Sequence, residues 1–313
     1  MAVSLKGRSL VSLKDFSTEE ILEIIRTADT LKLERLRGQT HHLLAGKTLA
    51  MIFQKPSLRT RVSFEAGMTQ LGGHAIYLAP SDISLGKRET TEDIAQVLSR
   101  YCDVIMARVF GHDIVVDLAK YATVPVINGL SDEEHPCQVL ADLQTIYEKK
   151  GTLAGLKLAY VGDGNNMTHS LMYGCARVGM HMTAVTPPGY GPLDRVTAEA
   201  AAIGKENGCR IEATTDIAAG VAGADAVYTD VWASMGMEAE AADRAKKFKA
   251  YRVDEKLMAH ADSKALVLHC LPAHYDEEIA YGVTRSPNSA IFDEAENRLH
   301  AQKALMVLLA AGR

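Results

Sequence analysis

Two arginines and two hydroxyl side chains stand together in the segment 57–61 (Ser-Leu-Arg-Thr-Arg), shortly after an apolar run that ends at Phe53. A helical apolar pattern starts inside this segment, which predicts a strand, a turn and a helix. Backbone N–H groups at the start of a helix lack intrahelical partners, and the helix dipole favours an anion there. Guanidinium and hydroxyl groups add donors that match a phosphate dianion, whereas the glycine pattern of nucleotide P-loops is absent. The segment predicts a phosphate site, with a capped helix and solvated arginines as the alternative.

Three more polar side chains follow apolar runs in the first half of the chain. Arg108 lies near the end of one run, and a buried guanidinium needs an anion or a carbonyl oxygen beside it unless it reaches solvent. His135 and Gln138 come soon after the run that ends at Leu130. A neutral imidazole can donate to a carbonyl oxygen as charge develops on it, and a carboxamide can pair with another amide. A capping or core histidine is the alternative for His135.

The second half carries different groups at the ends of its apolar runs. The segment 162–166 (Gly-Asp-Gly-Asn-Asn) resembles a dinucleotide fingerprint, but the third glycine and the ribose-binding acid are absent. The amides of Asn165 and Asn166 can instead hold a small polar substrate. Asp230 ends another run, where its carboxylate can pair with an ammonium group.

His269 and Cys270 end the last apolar run and could suggest cysteine or zinc chemistry. Neighbouring residues on a strand point to opposite faces, which disfavours a Cys–His hydrolase. A zinc site built with His274 has no identifiable fourth ligand. The sequence therefore predicts neither a metal nor a cofactor.

The elements that must position these groups are short apolar runs that alternate with helical patterns. A capping box at Ser17 begins the first helix, and a helix is predicted from about Pro136 to Lys150, ahead of Gly151. The predicted strands are 48–53, 74–79, 103–109, 124–130, 156–161, 182–186, 226–231 and 265–271. Near-continuous apolar strands between helices are typical of parallel sheets covered on both faces, with ligands beyond the carboxyl ends of the strands.

We therefore predict an α/β protein with two doubly wound parallel-sheet domains joined by a bridging helix. The first domain comprises residues 1–150 and the second residues 151–292, and a C-terminal helix over 293–313 returns to the first domain. Leu299, Ala304, Leu305 and Leu308 form the predicted apolar stripe of that helix.

The composition excludes several classes of protein. Lys and Arg total 34 and Asp and Glu total 39 in 313 residues, a formal charge of −5 that argues against a nucleic-acid binder. At roughly 150 residues per domain this length suits two domains, and no apolar run approaches the roughly 20 residues that span a bilayer. Five scattered cysteines without a C-x-x-C pair, and an N-terminus without a signal-peptide pattern, predict a cytoplasmic protein with reduced thiols.

Several short strings, in one order, resemble the aspartate/ornithine carbamoyltransferase family over essentially the whole chain. The Ser-Met-Gly and His-Cys-Leu-Pro strings are similar to those of the ornithine-using members. The strings are 55–61, Arg108, 135–138 (His-Pro-Cys-Gln), 230–236 (Asp-Val-Trp-Ala-Ser-Met-Gly), 269–273 (His-Cys-Leu-Pro-Ala) and 294–298 (Glu-Ala-Glu-Asn-Arg). The resemblance implies a carbamoyl-phosphate domain, an amino-acid domain and a trimeric core with sites near subunit interfaces.

The resemblance also implies roles for individual residues. Those implied for carbamoyl phosphate are Ser57, Leu58, Arg59 and Thr60 around the phosphate, Arg108 between phosphate and carbonyl oxygen, His135 on that oxygen, Gln138 on the amide, Arg298 from the last helix, and Cys270 and Leu271 along the carbamoyl group. Those implied for ornithine are Leu130, Asn166, Asp230, Ser234 and Met235, with Cys270 beside the side-chain amine. Of all these, Thr60, Arg108, His135, Asp230 and Cys270 are the implied catalytic residues.

The implied reaction is transfer of the carbamoyl group of carbamoyl phosphate to the δ-amine of L-ornithine, giving L-citrulline and phosphate, in arginine synthesis or breakdown. Related enzymes that use putrescine or an N-acylornithine, and a non-catalytic binding paralogue, remain as alternatives. The implied assembly is a homotrimer or a multiple of it, without nucleic-acid or membrane partners. Many relatives carry Gln or His at the position of Ser84, in a loop that reaches an adjacent subunit, and a serine reaches less far.

Overall fold

The computed structural model describes residues 3–83, 89–233 and 238–311 of the chain. Ser84, Ser234 and Met235 lie outside the described residues. The chain forms two compact units, one comprising Met1–Gln144 with Glu296–Arg313 and the other Thr145–Ala295. Within the described part of the chain, no helix has the length and apolarity needed to cross a membrane.

The first unit contains a parallel four-stranded sheet in the order β2-β1-β3-β4. Its strands are β1 Thr48–Phe53, β2 His74–Leu78, β3 Val104–Arg108 and β4 Val126–Leu130. Its helices are α1 Thr18–Leu36, α2 Leu58–Gln70, α3 Pro80–Ile83, α4 Thr91–Tyr101 and α5 His112–Tyr121, and α6 Pro136–Lys150 begins in it. The predicted capping box is confirmed, because Ser17 accepts from the Glu20 N–H and Glu20 returns to the Ser17 N–H.

The second unit contains a parallel five-stranded sheet in the order β7-β6-β5-β8-β9. Its strands are β5 Lys157–Val161, β6 His181–Val185, β7 Ile211–Thr214, β8 Ala226–Thr229 and β9 Leu266–His269. Its helices are α7 Asn166–Val178, α8 Asp194–Glu206, α9 Ile217–Val221, α10 Ala241–Phe248, α11 Glu255–Met258 and α12 Tyr281–Thr284, and α13 Ile291–Met306 begins in it. Two parallel α/β sheets confirm the predicted fold class.

The edge strand β7 is absent from the predicted strands. Only Ile211 is buried in it, while Glu212 and Ala213 are exposed, so no apolar run marks it in the sequence. The strand forms because its backbone pairs with β6 from Met182↔Ile211 to Val185↔Thr214. Ladder hydrogen bonds with a buried neighbour therefore determine this edge, rather than local hydrophobicity.

The last long helix, α13, is buried more completely than the predicted apolar stripe implies. Ala304 and Leu305 are fully buried as expected, whereas Leu299 is only partly buried. Six polar side chains are at most 2% exposed: Glu294, Asn297, Arg298, His300, Gln302 and Lys303. Helix α13 is therefore buried on several sides, and its buried polar groups require hydrogen bonds or charge partners.

We expect Gly220→Ala to destabilise the second unit, because Gly220 of α9 packs directly on the sheet. An added Cβ would collide with Val185 Cγ2 and lie 3.0 Å from Thr214 Cγ2. Such overpacking lowers the free energy of unfolding by about 1–3 kcal/mol, which urea titration measures. Gly191→Ala is the control, since the heavy atom nearest to its added Cβ would be Thr186 Oγ1 at 3.7 Å. Equal losses in the two variants would contradict this packing argument.

Candidate active site

Each sheet has one topological switch point, where consecutive strands lead to opposite sides. In the first unit β2 lies on one side of β1 and β3 on the other, and in the second unit β6 and β8 flank β5 in the same way. Ligands of open α/β sheets bind in the crevice beyond the carboxyl ends of the strands at this point. The polar segments identified in the sequence follow β1, β3, β5 and β8, so both switch points carry them.

The start of α2 forms one wall of the first crevice. Ser57 is the N-cap, and its hydroxyl accepts from the Thr60 N–H at 3.3 Å. The Leu58 side chain is 76% exposed, so only its backbone can serve a ligand at this helix end. Arg59 is half-buried, and no hydrogen bond or ion pair reaches its side chain from residues 3–83, 89–233 or 238–311.

Arg61 behaves differently from Arg59, although both belong to the same predicted motif. Its Nε donates to Glu65 at 2.9 Å, and its guanidinium lies 3.8 Å from the centroid of the Tyr77 ring. The solvated-arginine alternative therefore describes Arg61, which leaves Arg59 as the cation available to an anion at the helix start.

Arg298 of α13 ties the start of α2 to the start of α6. Its Nη1 donates to Gln138 Oε1 at 2.7 Å and its Nη2 donates to Thr60 Oγ1 at 3.2 Å. Gln138 Nε2 in turn donates to Asp142 Oδ1 at 2.8 Å. These four residues are at most 2% exposed, so the geometry of both helix starts is held by buried hydrogen bonds.

His135 lies near the cationic side chains of the first unit and is 5% exposed. Burial lowers its pKa well below the usual value, and the charges of Arg298, Arg108 and Arg59 lower it further. The imidazole is therefore neutral at pH 7 and can donate one hydrogen bond to an oxygen without carrying charge. Arg108 is also 5% exposed, at the end of β3 where it pairs in register with Phe53 of β1.

Lys55 is a member of this cluster that sequence reasoning quoted without giving it a role. Burial and the charge of Arg108 lower its pKa, while Asp132 opposes them. Its ammonium lies 4.4 Å from the centroid of the Phe110 ring. Its position in the turn after β1, only two residues from Ser57, was the available signal. The first crevice thus gathers guanidinium and ammonium groups around a neutral imidazole, a suitable environment for a dianion.

The second crevice gathers acceptors instead. Asp230, immediately after β8, is 7% exposed, and its Oδ2 accepts from Asn165 Nδ2 at 3.1 Å. Its Oδ1 accepts from the Val231 N–H at 2.8 Å and from the Cys270 thiol at 3.1 Å. Asn165 itself caps α7 through the N–H groups of Met167 and Thr168. These bonds fix the Asp230 carboxylate, and Oδ2 retains an acceptor position for an ammonium group.

Cys270 and His269 follow each other in the chain but have different partners. His269 is fully buried: its Nδ1 accepts from the Leu271 N–H at 2.9 Å, and its Nε2 bonds to Glu278 at 3.1 Å. Cys270 points to Asp230, and it is the one cysteine of the five that is only partly buried. Leu271 adopts φ 58° just before Pro272, so the His269 bond holds a turn that presents Cys270.

A buried ion pair that the sequence analysis missed supports the second crevice. Arg244 of α10 bonds to Asp163 Oδ2 at 2.9 Å and donates to the Trp232 carbonyl at 2.9 Å. Asp163 precedes Asn165, and Trp232 follows Asp230. Arg244 therefore connects the segments that follow β5 and β8. Sequence reasoning had no local signal for it, since Arg244 lies 81 positions from Asp163 in the numbering.

Three groups of side chains in the described residues bring potential metal-ligand atoms within 4.8 Å of one another. They are Asp230, His269 and Cys270; His112, Glu133 and Glu134; and His274, Glu277 and Glu278. The zinc trio considered from the sequence is divided, because His274 belongs with Glu277 and Glu278 instead. In the first group the thiol and both ring nitrogens already have protein partners.

The remaining predicted residues lie at the ends of strands or at the start of a helix. Leu130 ends β4, Asn166 is the first residue of α7, and Leu271 follows β9; all three are partly buried. The predicted roles of Ser234 and Met235 fall outside the described residues. The structure brings Thr60, Arg108, His135, Gln138 and Arg298 together in the first unit, and Asp230 and Cys270 together in the second.

Comparison with known protein families matches both halves of the chain. Residues 8–148 match the family model described as "Aspartate/ornithine carbamoyltransferase, carbamoyl-P binding domain". Residues 154–309 match the model described as "Aspartate/ornithine carbamoyltransferase, Asp/Orn binding domain".

Individual proteins resemble the chain over its full length. A protein of Pyrococcus abyssi named ornithine carbamoyltransferase is 55% identical over 312 residues, covering 100% of this chain and 98% of the relative. A Pyrococcus furiosus protein named "Ornithine carbamoyltransferase, anabolic" is 54% identical, covering 100% and 99%. The solved structure of ornithine carbamoyltransferase from Pyrococcus furiosus superposes with a TM-score of 0.96 at 54% identity, covering 99% of each chain.

The buried Asp163 carboxyl gives the second unit a testable pH dependence. Burial raises its pKa from 3.8 to about 6, although Arg244 acts in the opposite direction. Because the folded-state pKa exceeds the unfolded value, this group favours folding below about pH 4, and that contribution is lost as the pH rises through about 6. We expect Asp163→Asn to gain stability relative to the parent protein over this range, by about 3 kcal/mol at most.

Urea unfolding between pH 4 and 7.5 measures this difference. Asp194→Asn, which removes an exposed carboxyl of the same unit, is the control. A difference between Asp163→Asn and the parent that stays constant with pH would contradict the raised pKa.

Proposed function

The chain belongs to the aspartate/ornithine carbamoyltransferase family, and we propose that it transfers the carbamoyl group of carbamoyl phosphate to the δ-amine of L-ornithine. The products are L-citrulline and phosphate. The first unit binds carbamoyl phosphate and the second binds ornithine. The observation that carries this proposal is the buried His135 beside the charges of Arg298, Arg108 and Arg59, with Arg298 bonded to Thr60 at the start of α2. This arrangement suits a phosphorylated carbonyl compound.

The phosphate group binds at the start of α2. The unpaired N–H groups of the first turn, the Ser57 hydroxyl and the Arg59 guanidinium all donate to its oxygens. Arg59 has no protein partner among the described side chains, so it does not have to break an existing ion pair to bind the substrate.

The carbamoyl carbonyl is activated by donors aimed at its oxygen. Attack by the amine places negative charge on this oxygen, and Arg108, His135 and the Thr60 hydroxyl stabilise it. A preorganised donor of this kind contributes roughly 3 to 4 kcal/mol to the transition state. The Arg298 bonds to Thr60 and Gln138 keep two of the groups in place before the substrate arrives, so little reorganisation is needed.

The nucleophile has to be the neutral δ-amine of ornithine. With a reference pKa of about 10.4, deprotonating the free amine at pH 7 costs roughly 4 to 5 kcal/mol. Asp230 binds the α-ammonium through its remaining acceptor position, and desolvation beside Cys270 favours the neutral δ-amine. The departing phosphate accepts the amine proton, so the reaction requires no separate protein base.

Further features of the proposal come from the family and from its named members. Asn166, Leu130, Ser234 and Met235 contribute to ornithine binding, and Leu271 lines the carbamoyl group. The biosynthetic direction is proposed because a relative with 54% identity is named anabolic. A cytoplasmic homotrimer, or a multiple of it, is the proposed assembly.

We expect L-ornithine to be the preferred substrate in a panel with putrescine and N-acetylornithine. Putrescine keeps a second amine but lacks the α-carboxylate, and acetylation neutralises the group proposed to pair with Asp230. The loss in kcat/KM for either amine should be about a hundredfold or more. The assay measures ureido product formed from carbamoyl phosphate. Faster turnover of either analogue would indicate the related enzyme, and binding without turnover would indicate a non-catalytic protein.

Arg108→Ala should reduce citrulline formation by at least about a hundredfold while the protein stays folded. The guanidinium ends a buried strand, and its removal takes away a donor to both phosphate and carbonyl oxygen. Arg100→Ala, which removes an exposed arginine of α4, is the matched control and should retain activity. Circular dichroism and gel filtration check folding and assembly. Near-normal turnover in Arg108→Ala would remove this residue from the mechanism.

A further inference from the structure

A second cationic cavity lies in the first unit, at the opposite end of α2 from the proposed phosphate site. Its volume is about 270 Å³, and its lining includes Arg35, His41, His42, Gln70 and Lys303. Since α2 runs from Leu58 to Gln70, its two ends are roughly 18 Å apart. The proposed reaction therefore does not use this cavity.

Lys303 of α13 is the most informative residue of the cavity. It is 1% exposed, and none of the described residues accepts a hydrogen bond from its ammonium or forms an ion pair with it. A buried ammonium without acceptors loses its hydration and gains no hydrogen bond in exchange, which is unfavourable. Such a group requires acceptors from outside the chain.

Arg35 adds a second positive charge to the same wall. The two cations interact unfavourably, since burial and the charge of Arg35 both lower the pKa of Lys303, with Glu34 opposing them. The Arg35 side chain has no hydrogen bond or ion pair within the described part of the chain. The nearby Glu34 carboxylate bonds to another residue of the cavity lining, with its Oε2 2.9 Å from His41 Nε2.

The helix ends around the cavity do not compensate for these cations. The last carbonyl groups of α1 are bonded to backbone N–H groups, including Gly38 N to Arg35 O at 2.9 Å. The end of α2 is closed in the same way, with Gly73 N bonded to Met68 O at 2.9 Å. Gln70 Oε1, by contrast, is buried without a hydrogen-bond partner. Rotating the side-chain amide by half a revolution would place its NH₂ group, with two donors, at the cavity.

We propose that this cavity binds a small oxyanion of the phosphate and sulfate class, held by the ammonium of Lys303 and the guanidinium of Arg35. Both cations would gain charge-assisted hydrogen bonds, and the Gln70 amide would add a neutral donor. The cavity is smaller than most sites for drug-sized ligands, which suits an inorganic anion. The proposal does not depend on the identity of the catalysed reaction.

Isothermal titration calorimetry with inorganic phosphate, in a low-salt buffer free of other oxyanions, tests the site. We expect the parent protein to bind one more phosphate per chain than Lys303→Met does. Arg35→Gln should weaken this binding about tenfold or more, because a charge-assisted bond is lost. Arg37→Gln removes an exposed arginine from the same helix end but outside the cavity, and it should match the parent protein.

Two further measurements separate this site from the proposed catalytic one. Arg108→Ala should keep the phosphate-binding event that Lys303→Met removes, and Arg35→Gln should keep normal turnover. Without phosphate, Lys303→Met should unfold at the same temperature as the parent or higher, because an unpaired buried charge is replaced by an apolar side chain. This result would show that the lost binding does not come from misfolding.

Two outcomes would overturn the proposal. One is equal phosphate stoichiometry in the parent protein and a folded Lys303→Met variant. The other is an Arg35→Gln variant that changes the oligomeric state by sedimentation while binding phosphate normally, since the cavity would then be a contact surface for another copy of the chain. Sulfate in place of phosphate should compete for the site, as expected for recognition by charge and oxygen acceptors.

Discussion

The concentration of positive charge around His135 is the constraint on which the first unit depends. Burying like charges together is unfavourable, so the scaffold must hold them in place by bonds made elsewhere. Arg298 does this through buried hydrogen bonds to Thr60 and Gln138, which connect the starts of α2 and α6. Burial, together with the same charges, keeps the His135 imidazole neutral. A dianionic ligand neutralises this buried positive charge. The same cations then both bind a phosphorylated carbonyl compound and activate its carbonyl group.

The second unit holds a negative charge in place at its own switch point. There the fixed group is the Asp230 carboxylate, which Asn165, Val231 and Cys270 hold by hydrogen bonds. The ion pair between Arg244 and Asp163 stabilises the surroundings of this carboxylate, because Arg244 links the segments after β5 and β8. The two parallel sheets thus present opposite charges at equivalent places in their topology, one suited to an anionic donor and the other to a cationic amino acid.

Helix α13 shows how one buried helix can serve two separate purposes. Arg298 contributes to the proposed catalytic cluster, whereas Lys303 lies at the cavity lined by Arg35. The difference between the two residues lies in their partners. Arg298 donates to side chains of α2 and α6, while the ammonium of Lys303 has no acceptor within residues 3–83, 89–233 and 238–311. A buried cation that its own chain does not satisfy is the physical basis of the proposed oxyanion site.

Several features could be predicted from the sequence alone: the alternation of strands and helices, the Ser17 cap, and the positions of Arg59, His135 and Asp230 just beyond strand ends. These features follow from residues a few positions apart, because side-chain periodicity and helix capping are local. The folded structure was needed to show that β7 pairs with β6 as an edge strand and that the Arg61 guanidinium lies over the Tyr77 ring. It also decided that Arg298 bonds residues 160 and 238 positions away. Such partners depend on how distant segments pack, and no spacing in the chain encodes that by itself.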